Sequence, residues 1–283
     1  MNGRSFYILY LFKINRTHIL KMSFYMHLPS NGSHEYFPTN RISSFKTKIP
    51  KRISFKPQEY EVGLTEFTFV NTISSLECPE DYQIHYQRNG LQRVKFIIPN
   101  IGYTSVDHLL KGIEMAFHGE NLSSDATFAD IAEWRKDGPL ALIERDYLTN
   151  RCSIKIVYLN SLLTISSKLS QILGFGLHTE FETGKHYAVQ DPQLLSGMHN
   201  IFVYCDIIES QIVSNTLVPL LRMINISRKF GDVVTSTFKP YYLPLSRTEF
   251  DTISILLCNE FGELLYFMNG QATATLHFRK ILK

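Results

Sequence analysis

EYEVGLTEFTF, residues 59–69, places apolar side chains at Tyr60, Val62 and Leu64 and again at Phe67 and Phe69. A period of two runs through the segment and slips by one between Leu64 and Phe67. Period two is the mark of a strand with one buried face, and one extra residue returns the following side chains to that face. The segment therefore predicts a strand with a β-bulge near Thr65 or Glu66.

The same grammar extends outward. From Met22 to about Ile98, short β-type segments are separated by PSNGS, FPTN, KIPKR and KPQE, whose Pro, Gly, Asn and Ser punctuate turns, and the region reads as antiparallel β. Toward the other end come TISILLC (252–258), ELLYFM (263–268) and ATATLHF (272–278), separated by Asn259–Gly262 and by Asn269-Gly270. This predicts a β-meander closed by an Asn-Gly hairpin. In its last strand Ala272, Ala274, Leu276 and Phe278 share the core face, and Thr273, Thr275, His277 and Arg279 share the other.

The middle changes period. Val106, Leu109, Leu110, Ile113 and Phe117 follow the i, i+3, i+4, i+7 rhythm of an amphipathic helix, with Thr104 and Asp107 as a capping box and Gly119 as its stop. SSKLSQILG (166–174) predicts a shorter helix capped by Ser166 or Ser167 and ended by Gly174. Between them LALIERDY and CSIKIVY read as a hairpin. The fold class is mainly β, an antiparallel β-sandwich completed by both ends of the chain and carrying a small mixed α/β insertion. The divisions fall at 1–21 (an N-terminal extension, read as an over-long gene model because Met22 leads straight into strand-like SFYMHL), 22–100, 101–195 (the insertion, with both helices) and 196–283.

Composition agrees with a globular β protein: 44% hydrophobic and 19% charged residues, with 20 Phe and 15 Tyr among 283 residues. A net charge of +3 does not mark a dedicated nucleic-acid binder. Cys78, Cys152, Cys205 and Cys258 form no CxxC pair and predict free thiols in a reducing compartment. The apolar run Phe6–Phe12 is too short to span a membrane and lacks a small-residue cleavage site, so neither secretion nor a membrane span is expected.

Motifs of chemistry are missing: no GxxxxGK[ST], no HExxH, no GxSxG. Gly174 and Gly176 in GFG fit a helix C-terminus better than a dinucleotide loop. His277 has no visible nucleophile or orienting partner and reads as a surface or interface histidine. Cys205-Asp206 lies in the nearly continuous apolar run HNIFVYCDIIESQIV, where Cys packs as a small hydrophobe and Asp206 is either hydrogen-bonded at a bend or exposed at a subunit contact. No catalytic, metal or cofactor-binding residue is assigned, and no small-molecule substrate. The sharpest charge bias is Arg41, Lys46, Lys48, Lys51, Arg52 and Lys56, with no acidic residue between them. The ordinary reading is a solvated strand-and-loop face; the functional one is contact with an anionic partner, nucleic acid or an acidic neighbouring subunit.

Several strings, in order along the chain, carry a resemblance: LPSN (28–31) soon followed by YFPTN, EVGLTEF (61–67), SKLSQILGF (167–175), YCDIIESQIV (204–213) running into PLLRMI (219–224), PYYLPL (240–245) and TLHFRK (275–280). Together they resemble the penton-type minor capsid proteins of Maverick (Polinton) virus-like mobile elements. The resemblance implies a single jelly-roll capsid subunit of the virion, assembled in the host cell as a pentamer at five-fold vertices. It also implies a double jelly-roll major capsid protein as partner and no enzymatic activity; the charge of the basic segment, Arg41 to Lys56, adds the expectation that it faces either the particle interior, in weak contact with packaged DNA, or a neighbouring subunit. Pro29, Asn31, Glu61, Gly63, Gly174, Asp206, Pro219, Arg222, Pro244, His277 and Arg279, which stand in these strings, would then be structural. The runner-up is a host-repurposed β-sandwich binding or recognition protein without enzymatic activity.

Overall fold

The computed structural model describes residues 23–90, 94–117, 139–195, 198–226 and 229–281; the expected extension at 1–21 and helix stop at Gly119 lie outside them. In chain order the elements begin with strands β1 (Ser23–Pro29), β2 (Ser44–Ser54) and β3 (Tyr60–Val70), a 3-10 turn (Pro79–Tyr82), β4 (Gln83–Arg88), β5 (Val94–Ile97) and helix α1 (Val106–Phe117). They continue with β6 (Ala141–Asp146), β7 (Arg151–Ile156), β8 (Ser161–Ile165), helix α2 (Ser167–Ile172), β9 (Glu180–Glu182) and β10 (Gly184–Tyr187). The remaining strands are β11 (Asn200–Cys205), β12 (Gln211–Val213), β13 (Thr216–Val218), β14 (Leu220–Asn225), β15 (Val233–Thr237), β16 (Leu243–Pro244), β17 (Glu249–Cys258) and β18 (Ala272–Lys280).

Two sheets form the sandwich, one in the order β1-β18-β3-β15, the other β14-β11-β17-β2, and every pairing is antiparallel. Numbered among themselves along the chain, the eight strands run first, eighth, third, sixth and fifth, fourth, seventh, second. That interleaving of both halves of the chain is a jelly roll.

The slip in EYEVGLTEFTF is a bulge in β3. Thr275 of β18 lies opposite Glu66 and Leu276 opposite Leu64, which leaves Thr65 as the extra residue. Its groups are satisfied: the hydroxyl donates to the Thr275 carbonyl at 3.0 Å and its carbonyl accepts from the Phe238 N–H at 2.8 Å. Beyond the bulge, large faces small. Phe67 and Phe69 pair with Ala274 and Ala272, so the aromatic rings fill the space the alanines leave, and all four are buried. Leu276 and Phe278 complete the core face of β18, as the alternation predicts. Truncating a buried aromatic such as Phe278 to Ala costs about 3–5 kcal/mol.

Two corrections concern local detail. The C-terminal meander does not form. β17 and β18 belong to opposite sheets, so the link between them must cross the sandwich; ELLYFM makes only isolated bridges, Leu264 to Cys258 and Phe267 to Ile73. Asn269-Gly270 is the turn into β18, with Gly270 at φ +101°. At α1 the hydroxyl that accepts the first-turn N–H, from His108 at 3.1 Å, is that of Ser105, while Asp107 turns to Arg145 at 3.3 Å. The other helix behaves as read: Ser166 accepts from Leu169 N–H at 3.1 Å, and Gly174 takes φ +86° beyond the last turn.

Between β3 and β11 lies a second core. β6 and β7 form the expected hairpin, joined by β10, and β4 pairs with β5 and β8. Ile84, Tyr86 and Phe96 of β4 and β5 are buried with Leu109 and Ile113 of α1 and Leu169 of α2, and none of these joins the sandwich core around Phe45, Val62, Phe67, Val203, Ile255 and Phe278. Strands that the sequence groups with the first part of the sandwich thus pack with the helices, because their partner strand β8 comes from beyond α1. Among the described residues no helix is long and apolar enough to cross a membrane.

Candidate functional site

Residues far apart in the chain meet on the outer face of the β1-β18-β3-β15 sheet. Leu276 and Phe278 point into the core, so His277 and Arg279 point outward. Strand register then fixes two adjacent rows. Tyr25, His277 and Gly63 form one; Ser23, Arg279, Glu61 and Pro244 form the next.

The loop between β15 and β16 closes over these rows. A Cβ at Gly63 would lie 2.7 Å from the Tyr241 carbonyl oxygen and 2.9 Å from Pro240, so only glycine admits the loop at this height. Tyr242 reaches across it, its hydroxyl 2.7 Å from His277 Nδ1, while Tyr25 stacks on the other side of the imidazole at 4.4 Å. Arg279 lies over the Tyr242 ring at 3.5 Å and pairs with Glu61. Burial, and then the nearby Arg279 charge, hold His277 below the ordinary histidine pKa, so the ring is neutral at neutral pH.

Arg222 of β14 anchors the same loop from the opposite sheet. Its guanidinium sits 4.3 Å from the Tyr241 ring and 4.7 Å from that of Phe238, and it donates to the Lys239 carbonyl at 3.3 Å. Glu61, Gly63, Arg222, Pro244, His277 and Arg279 are therefore drawn into one neighbourhood around residues 238–244. Tyr25 and Tyr242 belong to it as well and were missed. For Tyr25 the signal was present, since Phe24, Met26 and Leu28 alternate inward and leave Tyr25 and His27 outside.

The remaining candidate positions lie elsewhere. Pro29 ends β1 opposite Thr273, and Asn31 donates to the Gln271 side chain at 2.8 Å. Gly174 has the Gln190 carbonyl where a Cβ would stand, at 2.1 Å. The Pro219 carbonyl accepts from Cys205 N–H at 3.0 Å beside an irregularity between β11 and β14. Asp206 is hydrogen-bonded at a bend: Oδ1 accepts from Ser254 N–H at 2.8 Å, and Oδ2 is 3.3 Å from Arg247.

The basic residues occupy β2, the edge of its sheet, and its approaches. Lys48 pairs with Asp251 at 2.6 Å and Arg52 with Glu249 at 2.9 Å, both acids on the adjacent β17. Arg41, Lys46 and Lys51 pair with no carboxylate among the described residues, and Lys56 sits beside Glu59, which accepts its backbone N–H at 3.0 Å. The pairing with β17 is irregular between Phe250 and Thr252, where β2 bulges around Pro50. Lysines, a proline and a bulge are the usual protections of a sheet edge against pairing with another chain. That account explains the basic bias without a ligand.

Among the described residues no group of three or more His, Cys, Asp or Glu is placed to hold a metal ion. Burial pushes the Cys205 thiol up to about 12, and those of Cys152 and Cys258 to about 11. Such thiols are inert packing groups.

No protein-family model matches the chain, and no curated protein does. Among solved structures, the crystal structure of the mavirus penton protein is 11% identical, with a TM-score of 0.44, and covers 92% of this chain and 100% of its own. A chain of the Sputnik virophage, determined by cryo-EM, is 10% identical with a TM-score of 0.40, covering 91% of this chain and 98% of its own.

Proposed function

We propose that this chain is a penton-type minor capsid protein of a Maverick-like mobile element, a jelly-roll subunit that assembles around five-fold vertices beside a double jelly-roll major capsid protein. The observation that carries the reading is the placement of the strings that bear the resemblance. EVGLTEF is β3 with its bulge, YCDIIESQIV and PLLRMI lead through β11–β14, PYYLPL is the loop over Gly63, and TLHFRK is β18. These segments are strands of both sheets and the loop that closes over one of them. Fold alone does not assign function, since jelly rolls also serve lectins and cupins. The order of the strings favours the capsid role over those.

In this reading the elements β4 to β10 with α1 and α2 form one inserted unit with its own core. A closed ring needs heterologous contacts between the two unlike sides of each subunit, and a jelly roll offers two such sides, the β1/β2 edges and the β14/β15 edges. In such a ring the basic edge β2 would meet a neighbouring subunit or packaged DNA through side chains, since its bulge and Pro50 block strand addition.

Light scattering after size exclusion, with negative-stain imaging of the main peak, tests the proposal on the full chain. Five-fold rings support it. A monomer that persists at high concentration, alone and mixed with the element's major capsid protein, would overturn it in favour of a repurposed binding module.

A further inference from the structure

The loop joining β15 to β16 is held at a handful of points, among them the Phe238 N–H, which donates to the Thr65 carbonyl at 2.8 Å, and the Tyr242 ring, which lies under the Arg279 guanidinium at 3.5 Å. β16 contributes two residues to the edge of β3, Leu243 opposite Val62 and Pro244 opposite Glu61. Arg222 holds Tyr241 and the Lys239 carbonyl on one side. On the other, the Tyr242 hydroxyl meets His277 Nδ1 at 2.7 Å. Of these contacts, the one between Tyr242 and His277 is made by a group whose charge changes near neutral pH.

We infer that His277 is a proton-operated latch: neutral, it fastens residues 238–244 to the outer face of the sheet, and protonated, it lets them lift.

The surroundings of the ring fix the direction. With the proton on Nε2, neutral His277 accepts from the Tyr242 hydroxyl at Nδ1. Protonation turns Nδ1 into a donor, so the Tyr242 hydroxyl must turn its own hydrogen away into a half-buried setting. Arg279, the nearest cation on β18, then stands beside a second positive charge. Its carboxylate partner, Glu61 on β3, is already engaged by the guanidinium and offers the ring no ion pair of its own. Glu66 lies one row further, opposite Thr275. From β1, Tyr25 stacks on the ring, and His27 is turned to the Thr275 hydroxyl at 3.1 Å. Tyr25 can stack on the imidazole in either state, and no carboxylate from β1, β3 or the loop compensates a charge at His277.

Folded His277 therefore binds a proton less readily than a free histidine. A group with a depressed folded pKa of this sign favours the closed loop at high pH, and that preference is lost as pH falls through the ordinary value of 6.5 toward the folded one. Lifting the loop uncovers Gly63 and frees the β3 edge at Glu61 and Val62, an unpaired stretch of backbone on an otherwise closed face.

Hydrogen–deuterium exchange of the full chain tests this in a single copy, whatever its oligomeric state. For the peptide spanning 238–246, exchange corrected for its intrinsic pH dependence should rise about threefold or more between about pH 7.5 and about pH 5.5. His277→Gln should abolish the rise, and His27→Gln should leave it intact. Tyr242→Phe should exchange fast at both pH values. A wild-type loop indifferent to pH, or a response that survives in His277→Gln, overturns the inference. Should the His277 variant fail to fold, an NMR titration of the wild-type histidines decides, and a His277 that titrates no lower than in the unfolded chain overturns it equally.

Discussion

The Tyr241 carbonyl oxygen lies 2.7 Å from where a Cβ on Gly63 would stand. A backbone oxygen cannot move aside as a flexible side-chain end can, so the loop and the strand beneath it are matched at the level of main chain. Gly63→Ala should lift the loop and lower stability by about 1–3 kcal/mol, the usual cost of overpacking. Calorimetry reads the loss in Tm, and exchange at residues 238–246 shows whether the loop is what moved.

The thiols should divide sharply in reactivity. Cys78 is exposed, while Cys152, Cys205 and Cys258 are buried, with thiols pushed up to about 11, about 12 and about 11. A thiol reagent at about pH 8 should therefore modify one cysteine in the native chain and the rest only after denaturation. Rapid labelling of Cys205 in the folded protein would contradict its place in the core.

Ser214 sits at φ +56° in the tight link between β12 and β13. The left-handed region is strained for a residue with a Cβ and free for glycine. Ser214→Gly should stabilise the chain by about 0.5–1 kcal/mol, seen as a higher denaturant midpoint at unchanged slope.

If the charges on β2 guard a sheet edge, removing them should change association before it changes folding. The double variant Lys46→Val, Lys51→Val should keep its Tm within a few degrees, because both side chains are exposed and unpaired, yet aggregate at lower concentration. Light scattering against concentration separates this from an anion-binding role, in which solubility would stay the same while affinity for DNA fell.

Much of this architecture could be read from residues alone, and the limits have physical causes. The bulge at Thr65 was legible because a one-residue slip moves every later side chain to the other face, and the alternation in β18 was legible for the same reason. ELLYFM was misleading because extended chain crossing between sheets buries alternate residues, here Leu265 and Phe267, just as a paired strand does. Periodicity records which face is covered but not which strand is the neighbour. The neighbourhood of Glu61, Gly63, Arg222 and His277 was invisible for that reason. Glu61, Gly63 and His277 are brought together by register across strands more than 200 residues apart, and Arg222 by contacts from the opposite sheet; local pattern holds no trace of either.

The position of β18 between β1 and β3 carries a last consequence, for the order in which the chain acquires structure as it leaves the ribosome. Every other described strand of that sheet is synthesised earlier, and β1 has no neighbour in it until β18 arrives. The excursion between β3 and β11, with its separate core, can condense while the sandwich is still half made. Until β18 is threaded, β1 and β3 hold their apolar faces open, and through that interval the nascent chain is exposed to wrong partners.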